Sequence, residues 1–262
     1  MNNITINNKI SIICPTFKEP QHLDLCITSI IKGQHTSNEI VVVVDGTYNE
    51  NKEVLDKWKD KIKPIIFEQS MGQPAATNHG VYNASYNDIL IINDDNVAPA
   101  GFDRILLENK CPRTVVAPNQ IEPRPSIFKS FVIHDFGQTI DKFELDIFHK
   151  DEPLYRTIEI RNDGCTLPIF MNKQDYISIG GWDESYPSGH VTDLDFFYKC
   201  QLNGFKFQRN MKLNFYHFSG VATRSPDQVE NTRIKEQAGF EYFKYKWNKY
   251  PKFCPELNFK FD

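Results

Sequence analysis

The sequence predicts an α/β fold in which helices flank a mixed, mainly parallel central sheet. Over residues 9–93, short apolar runs alternate with stretches of helical periodicity, which is typical of βαβ units. The runs are too short for helices and are apolar on both faces, as expected of strands that helices cover on either side. The chain has 262 residues, 40% of them hydrophobic and 24% charged, and this length is sufficient for one large α/β domain.

Four strands and three crossover helices are predicted in this first part of the chain. In the first helix Leu23, Ile27 and Ile30 recur at helical spacing, and Gly33 follows them as a stop signal. The predicted strands are Ile10–Cys14, Ile40–Val44, Pro64–Phe67 and Ile89–Ile92, and the predicted helices are Gln21–Lys32, Asn49–Lys61 and Pro74–Ala84. Their alternation predicts that the four strands run parallel in one sheet.

The pattern becomes less regular after Asp95. The segment Phe128–His149 is rich in Phe and Ile at mixed spacing, so helix, hairpin and ordered loop all remain open. The other predicted elements are a helix at Phe102–Glu108, strands at Thr114–Ala117 and Cys165–Met171, helices at Asn172–Ile179 and Thr192–Asn203, paired strands near Phe205–Gln208 and Lys212–His217, and a helical tail over Asp227–Tyr250. No repeat, low-complexity run or flexible linker in the sequence marks a second domain.

The charge balance argues against nucleic acid as a partner. Lys and Arg number 30 against 34 Asp and Glu, which gives a formal charge of -4.

The sequence also bears on location. Met1–Asn8 has neither the basic start nor the apolar run of a secretory signal, and no apolar stretch reaches the roughly 18 residues that a membrane helix needs. The six cysteines form no CxxC pair, which favours reduced, mostly buried thiols. We therefore expect a cytoplasmic protein without a membrane span.

An acidic sequence, Asn93-Asp94-Asp95-Asn96, directly follows the apolar strand Asp88–Ile92. In a parallel α/β sheet, ligands bind at the carboxyl ends of the strands. Adjacent carboxylates point in different directions, so one can bind a metal ion while the other accepts a hydrogen bond from a group such as a ribose hydroxyl. Carboxylate and amide oxygens suit a hard divalent cation that bridges a diphosphate. A solvated turn has the same composition, so both interpretations remain open.

Two more strand ends carry polar residues, namely Pro15-Thr16 with the nearby Glu19, and Asp45 before Gly46. Asp45 can accept a hydrogen bond from a base N–H, and Thr16 and Glu19 can frame the same ring. A turn aspartate and a helix N-cap are the structural alternatives. Neither GxGxxG nor GxxxxGK[ST] follows the first strand, which disfavours dinucleotide oxidoreductases and P-loop enzymes.

A second cluster consists of Gly180-Gly181-Trp182-Asp183-Glu184, followed by Thr192-Asp193-Leu194-Asp195. An aromatic ring beside acids offers a platform for the apolar face of a sugar, although a buried tryptophan and acids at a helix N-terminus are the structural alternatives. His217 ends a predicted strand, where it is either a core residue or a ligand.

These residues, together with Gly72, Asn78 and Gly80, resemble the motifs of family 2 glycosyltransferases with the GT-A fold. The resemblance covers residues 9–217 in the family's order and approximate spacing. It implies transfer of a sugar from a nucleoside diphosphate sugar, usually a uridine diphosphate (UDP) sugar, to an acceptor hydroxyl with inversion at the anomeric carbon. It also implies a divalent metal cofactor, Mn²⁺ or Mg²⁺.

The same resemblance implies a domain organisation. Residues 1–262 would form a single glycosyltransferase domain, with a nucleotide-binding half at about 9–96, a metal and acceptor half at about 97–225 and a helical tail at about 226–262. The acceptor would be a glycan, a lipid or a protein. We expect Phe128–Arg161 to influence its choice, because this segment departs from regular winding and is rich in aromatic residues.

Individual roles are also implied by the resemblance. The residues expected to bind the nucleotide sugar are Pro15, Thr16, Glu19, Asp45, Gly72, Asn78, Asp94, Trp182 and Asp183. Among these, Thr16, Glu19 and Asp45 would hold the nucleobase, Asp94 the ribose, and Trp182 with Asp183 the sugar or acceptor. The expected metal ligands are Asp95 and His217, and the expected general base is Asp193.

Geometry also favours Asp193 over Asp195 as the base. The two residues lie two positions apart at a helix start, so their side chains face about 200° apart around the axis and only one can point into the crevice. We expect Asp193, at the cap, to be the more exposed of the two.

Three residues depart from the family pattern. Thr77 replaces an arginine, Asn93 replaces the first acid of the metal motif, and Thr192 replaces the acid before the base. A Gln-x-x-Arg-Trp motif is missing from the sequence, which favours a non-processive enzyme.

Two alternatives to an active glycosyltransferase remain. They are a catalytically inactive nucleotide-sugar or glycan-binding module of the same fold, and a sugar-phosphate nucleotidyltransferase. A sugar-phosphate nucleotidyltransferase is disfavoured because the glycine-rich, Arg-containing segment typical of those enzymes does not follow the first strand of this sequence.

Overall fold

The computed structural model describes residues 9–126, 128–163, 166–219, 226–254 and 258–260. In chain order the strands and helices are β1 (Ile10–Thr16), α1 (Pro20–Gly33), β2 (Glu39–Asp45), α2 (Tyr48–Trp58), β3 (Lys63–Phe67), α3 (Gln73–Asn83), β4 (Asp88–Ile91), β5 (Asn96–Val97), α4 (Phe102–Glu108), β6 (Thr114–Glu122), β7 (Val132–Ile133), α5 (Leu145–Asp151), β8 (Ile160–Arg161), β9 (Ile169–Asn172), α6 (Lys173–Ser178), α7 (Thr192–Leu202), β10 (Lys206–His217), α8 (Pro226–Trp247), β11 (Lys252–Cys254) and β12 (Asn258–Lys260). Single 3-10 turns occupy Ile140–Lys142 and Glu152–Tyr155.

Within the described residues, ten strands form one central sheet in the order β3-β2-β1-β4-β9-β6-β10-β5, with β7 beside β6 and β8 beside β10. β1 is parallel to β2 and β4, β2 is parallel to β3, and β6 is parallel to β10. β9 is antiparallel to both of its neighbours, β4 and β6. The predicted fold class, α/β with a mixed and mainly parallel sheet, is confirmed.

Helices cover both faces of the sheet because its central strands are apolar on both faces. Ile12 packs in a core with Leu23 of α1, whereas the next residue, Ile13, packs in a second core with Val81 of α3 and Phe243 of α8. Successive side chains of a strand point to opposite faces, so each central strand contributes to both cores. Complete burial of one such side chain contributes roughly 1.5–3 kcal/mol to the free energy of folding.

Gly33 ends α1 as predicted, and its backbone also makes a close contact. A Cβ atom at Gly33 would lie 2.8 Å from the carbonyl oxygen of Pro99, which is too close for any other residue to fit without a shift. The carbonyl oxygen of Gly33 accepts a hydrogen bond from the N–H of Gly101 at 2.7 Å. These contacts hold residues 99–101, which follow the acidic segment at residues 93–96, against the end of α1.

β3 is a partly exposed edge strand, which corrects the expectation that helices cover Pro64–Phe67 on both faces. β3 is the last strand in the sheet order, and Ile66 is 46% exposed although Phe67 is buried. Pro64 lacks a backbone donor, and such a residue is tolerated at a sheet edge.

Residues 206–217 form one strand, β10, which corrects the prediction of paired strands near Phe205–Gln208 and Lys212–His217. The register of β10 against β6 shifts between Asn210 and Asn214, and Oδ1 of Asn210 accepts a hydrogen bond from the N–H of Lys212 at 3.0 Å. The irregularity is therefore a bulge that does not reverse the chain. β6 likewise continues past its predicted end at Ala117, because Pro118 pairs with Asn210 at this bulge, where a missing donor is tolerated.

The segment Phe128–His149, which the sequence left open, is mostly irregular in the structure. It includes β7, the turn at residues 140–142 and the start of α5. Phe136 and Phe148 pack with Tyr216 of β10 in a small aromatic core. The aromatic residues of this segment reach the small core from several short elements. Their spacing in the sequence therefore follows neither the period of a helix nor that of a strand.

The helix predicted over Asp227–Tyr250 is confirmed by α8, which ends at Trp247. The expectation that the tail is helical to about residue 262 is wrong, because β11 and β12 pair as antiparallel strands there. The strand predicted over Cys165–Met171 begins only at Ile169, as β9, because the described residues 166–168 before it form bends.

Among the described helices, none combines the length and the apolar character that crossing a membrane requires. Cys14, Cys26 and Cys200 are buried, and Cys111 is exposed. Met1–Asn8 and Cys165 lie outside the described residues, and the cytoplasmic location stays a prediction.

Candidate active site

Two neighbouring cavities lie beside the carboxyl ends of the parallel strands. The strand-end cavity has a volume of about 320 Å³ and the helix-end cavity a volume of about 360 Å³. The strand-end cavity is lined by Pro15, Thr16, Glu19, Asp45, Asp94 and Asp95, among others. The helix-end cavity is lined by Trp182, His190, Asp193, Leu194, Glu236 and Phe240, among others. Gln73 and Asn93 line both cavities and lie between them.

Thr16 and Asp94 are joined at the ends of β1 and β4. The hydroxyl of Thr16 donates a hydrogen bond to Oδ2 of Asp94 at 2.7 Å. Burial and the neighbouring charge of Asp95 together raise the pKa of Asp94 to about 7, although the hydrogen bond from Thr16 opposes this shift. The structure thus brings together two residues that the sequence predicted to contact different parts of a nucleoside.

Asp45 organises the turn that leads into α3. Its carboxylate accepts hydrogen bonds from the hydroxyl of Ser70 at 2.7 Å, from the N–H of Met71 at 2.6 Å and from the N–H of Gly72 at 3.0 Å. Gly72 has φ +88°, a conformation that glycine adopts readily. Asp45 and Gly72 are therefore brought together, and Asp45 also faces the strand-end cavity; their contacts with a nucleotide sugar stay predictions.

Asp95 and His217 form the second pair of predicted residues that the fold brings together. Nε2 of His217 lies 3.4 Å from Oδ2 of Asp95, and Nδ1 of His217 lies 2.8 Å from Oε1 of Glu122. Burial lowers the pKa of His217, but the Asp95 and Glu122 carboxylates outweigh it and raise this pKa to about 10. Burial raises the pKa of Asp95, but the charge of His217 lowers it, and the net effect is a lowered pKa.

Asp95 and His217 can supply donor atoms to a divalent cation. Because the raised pKa of His217 means that it is protonated at neutral pH, metal binding at this site would release the proton from Nε2. Oδ1 of Asp95 is buried and accepts no hydrogen bond from any described residue. A carboxylate oxygen suits Mg²⁺ or Mn²⁺, and an imidazole whose other nitrogen contacts a carboxylate is the usual form of a metal-binding histidine. No group of three or more candidate ligand side chains occurs among the described residues, so a cation here would need further ligands from a bound molecule.

Glu122 is a site residue that the sequence reasoning missed. The predicted strand stopped at Ala117, before Pro118, whereas β6 continues to Glu122 and pairs beside the end of β10. The available signal was the sequence Gln120-Ile121-Glu122 before Pro123, which resumes a strand-like pattern.

Asp193 and Asp195 point to different surroundings, as the helical geometry predicted. Asp193 lines the helix-end cavity, and its Oδ1 accepts a hydrogen bond from the N–H of Leu194 at 2.8 Å. Burial raises the pKa of Asp193. Asp195 is completely buried and accepts hydrogen bonds from the indole N–H of Trp247 at 2.7 Å and from the hydroxyl of Tyr186 at 3.2 Å.

Lys246 of α8 contacts Asp195 and Asp183, two acids that do not line either cavity. Its ammonium lies 2.9 Å from Oδ1 of Asp195 and 2.6 Å from Oδ2 of Asp183. Asp183 also accepts a hydrogen bond from the N–H of Ser185 at 2.9 Å. The structure therefore places Asp183 in a contact with α8, and its predicted sugar contact stays a prediction.

Asn78 supports the glycine turn before Trp182 and does not line either cavity. Its Oδ1 accepts hydrogen bonds from the hydroxyl of Tyr176 at 2.6 Å and from the N–H of Trp182 at 2.9 Å. Its Nδ2 donates to the carbonyl oxygen of Trp182 at 2.9 Å and to Oε1 of Glu184 at 2.7 Å. A Cβ atom at Gly181, where φ is +58°, would lie 2.5 Å from Oδ1 of Asn78, so this turn requires glycine.

Trp182 is both a core residue and a cavity residue. It is 2% exposed and stacks on Phe196, with 6.0 Å between ring centroids. Its indole N–H is buried and has no hydrogen-bond partner among the described residues, although Trp182 lines the helix-end cavity. An unpaired buried donor costs free energy unless a bound group satisfies it.

The region from β1 to the start of α6 carries a family signature. Residues 11–173 match the sequence model described as Glycosyl transferase family 2, which is more than half of the chain. The chain belongs to glycosyl transferase family 2. The matched part includes Thr16, Asp45, Asp94 and Asp95, whereas Asp193 and the residues of α8 lie beyond it.

Several relatives in this family are similar to the chain. An uncharacterised glycosyltransferase of Rickettsia typhi is 25% identical over 249 residues, which covers 92% of this chain and 72% of the relative. Glycosyltransferase GlyA of Streptococcus pneumoniae is 29% identical over 93 residues, which is 35% of this chain and 13% of GlyA. An uncharacterised glycosyltransferase of a Nostoc species is 32% identical over 93 residues, covering 34% of this chain and 29% of that protein. The match therefore spans less than a third of the latter two relatives.

The fold of this family 2 domain is similar to that of GalNAc-T7, whose crystal structure contains UDP, GalNAc and Mn²⁺. The TM-score is 0.58, the sequence identity is 15%, and the similarity covers 90% of this chain and 50% of GalNAc-T7. At this identity the similarity shows the fold alone, which is the GT-A fold that the sequence resemblance implied.

Proposed function

We propose that this chain is a non-processive glycosyltransferase that moves a sugar from a UDP-sugar to an acceptor hydroxyl, with inversion and with a divalent cation. The observation that carries the proposal is the adjacency of the two cavities, whose linings share Gln73 and Asn93. Thr16, Asp94 and Asp95 lie in one cavity, Asp193 lies in the other, and Gln73 and Asn93 lie between them.

The strand-end cavity suits the nucleoside diphosphate. It lies at the carboxyl ends of parallel strands, where α/β proteins bind nucleotides. Asp94 offers a carboxylate to a ribose hydroxyl, and the Asp45 turn forms the wall where the base would bind. The UDP in the structure of GalNAc-T7, which has the same fold, supports this choice of nucleotide.

Asp95 and His217 would hold the cation. A bound Mn²⁺ or Mg²⁺ would offset the charge that develops on the diphosphate leaving group. Glu122 would fix the imidazole by its contact with Nδ1. The Mn²⁺ in the GalNAc-T7 structure is consistent with this cofactor.

Asp193 would act as the general base. Inverting transfer needs one carboxylate that takes the proton of the acceptor hydroxyl as this hydroxyl attacks the face opposite the leaving group. Asp193 faces the helix-end cavity with one oxygen bonded to a backbone N–H, while Asp195 is fully occupied by neighbouring side chains. The raised pKa of Asp193 makes it a stronger base than an exposed aspartate.

Hydrolysis of UDP-sugars without an acceptor tests the proposal. We expect the protein to release UDP slowly from at least one of a panel of UDP-sugars when Mn²⁺ is present, and to stop when the metal is chelated. Asp95→Asn should lose this hydrolysis, whereas Asp60→Asn, which alters an exposed residue outside both cavities, should retain it. A protein that binds UDP with Mn²⁺ but releases no UDP from any donor would be an inactive binding module.

A further inference from the structure

Glu236 of α8 lies at the open side of the helix-end cavity and lines it together with Asp193. Its position follows from the close approach of α8 to the chain before α7. A Cβ atom at Gly239 would lie 2.7 Å from the carbonyl oxygen of His190 and 3.0 Å from Cγ2 of Val191. Only glycine permits this approach, which brings Glu236 and Phe240, on either side of Gly239 in the helix, to the cavity.

The helix-end cavity has a negative charge. Its charged lining residues are Asp193 and Glu236, and the described residues that line it include no lysine or arginine. Burial lowers the pKa of His190, so this imidazole is neutral at neutral pH. An anionic group in the cavity would meet two carboxylates without a compensating cation.

The rest of the cavity wall is suited to a sugar ring. Leu167 and Phe240 supply apolar surface of the kind that packs against the C–H face of a pyranose, and the largely buried Trp182 borders the same cavity. The buried indole N–H of Trp182 has no hydrogen-bond partner within the part of the chain that the structure describes, so it is a donor that a bound sugar hydroxyl can satisfy. The cavity therefore combines an apolar wall, an unpaired donor and two carboxylate acceptors.

The donor and the acceptor divide this space. The donor's sugar would lie where the two cavities meet, beside Gln73 and Asn93, because the diphosphate occupies the strand-end cavity. The acceptor hydroxyl must reach Asp193, so the acceptor enters from the side that Glu236 and His190 border.

We infer that Glu236 determines the charge of the acceptor: the helix-end cavity takes a hydroxyl-bearing sugar that is neutral or carries an amine, and rejects one that carries a carboxylate. This inference rests on the proposed function, since it places the acceptor beside Asp193. Glu236 acts as a specificity-determining residue and takes no part in the chemical step.

A panel of three monosaccharides tests the inference by NMR titration with UDP and Mn²⁺ present: methyl β-glucoside, methyl β-glucosaminide and methyl β-glucuronide. We expect the first two to bind and the glucuronide to bind at least about tenfold more weakly, a modest factor because Glu236 is exposed to screening solvent. Glu236→Gln should reduce this ratio to within about threefold, because the amide keeps the size of the side chain but not its charge.

Glu230→Gln is the matched control, because Glu230 is an exposed residue on the same helix and does not line the cavity. It should leave the discrimination unchanged. Equal binding of the glucuronide by the wild-type protein, an unchanged ratio in Glu236→Gln, or no binding of any of the three sugars would overturn the inference. Calorimetry of UDP with Mn²⁺ and the UDP-release assay report on the proposed function separately: its failure appears as absent UDP binding or absent UDP release in all three proteins, whereas failure of this inference alone leaves both intact.

Discussion

Asp95 and His217 contact each other although they lie far apart in the sequence, with 3.4 Å between Oδ2 of Asp95 and Nε2 of His217. The contact depends on β5 and β10, which pair antiparallel with Asn96 opposite His217. This pairing brings the acidic segment after β4 to the end of the long strand β10. The relative position of the two side chains is therefore a property of the sheet.

Replacing Glu122 by glutamine tests how the histidine is held. Glu122→Gln keeps the size of the side chain but removes the charge that contacts Nδ1 of His217. We expect the affinity for Mn²⁺ in the presence of UDP to fall by about 10- to 100-fold. Calorimetric titration of Mn²⁺ into the UDP-bound protein measures this, with Glu108→Gln as an exposed control. An unchanged affinity would show that Glu122 does not orient the metal ligand.

The pH dependence of turnover should report on Asp193. A base must be deprotonated, so activity is lost as the pH falls through its pKa, and burial raises this pKa above the ordinary value of 3.8. We expect the acid limb of the profile of kcat/KM to lie above the range of an exposed aspartate. Asp193→Asn should slow transfer at least about 100-fold and still bind UDP. Near wild-type transfer by Asp193→Asn, combined with a loss in Asp195→Asn, would mean that the base is misassigned.

Asp195→Asn should weaken the fold. The charged oxygens of Asp195 are buried between Lys246 and the indole N–H of Trp247, so the amide loses an ion pair and a strong acceptor. We expect the free energy of unfolding to fall by about 1–3 kcal/mol, moderated because Lys246 keeps its contact with Asp183. Urea denaturation measures the change against Asp60→Asn. A stability equal to that of the control would contradict the structural role of this contact.

Trp182→Phe should separate the packing role of Trp182 from a binding role. Phenylalanine keeps an aromatic ring against Phe196, so we expect a loss of only about 1–2 kcal/mol, compared with about 3–5 kcal/mol for Trp182→Ala. Without the unpaired indole N–H, kcat/KM should fall by about tenfold. If Trp182→Phe retains full activity, the indole N–H does not contact a substrate.

Local sequence patterns were sufficient to predict the first half of the fold. The central strands and crossover helices repeat with clear periods, and polar residues such as Thr16 and Asp94 directly follow strands. Because the carboxyl ends of parallel strands share one edge of a sheet, the fold class predicted that Thr16 and Asp94 would lie close together.

The contacts between distant segments were not predictable in the same way. Glu122 reaches His217 only because β6 continues through a proline opposite a bulge, and Glu236 reaches the cavity only because Gly239 allows α8 to approach His190. Val191, which precedes α7, has φ +69°, a conformation that is rare for a β-branched residue and has no sequence signature. These features depend on tertiary packing, which overrides local pattern.

Calorimetry of UDP binding with and without Mn²⁺ tests the central claim, that Asp95 and the donor's diphosphate share a cation. We expect Mn²⁺ to raise the affinity of the wild-type protein for UDP at least about tenfold, and Asp95→Asn to lose this gain while its metal-free affinity stays the same. If Mn²⁺ leaves UDP binding unchanged in the wild-type protein, or if Asp95→Asn retains the full gain, the acidic segment is a turn and the proposed mechanism is wrong.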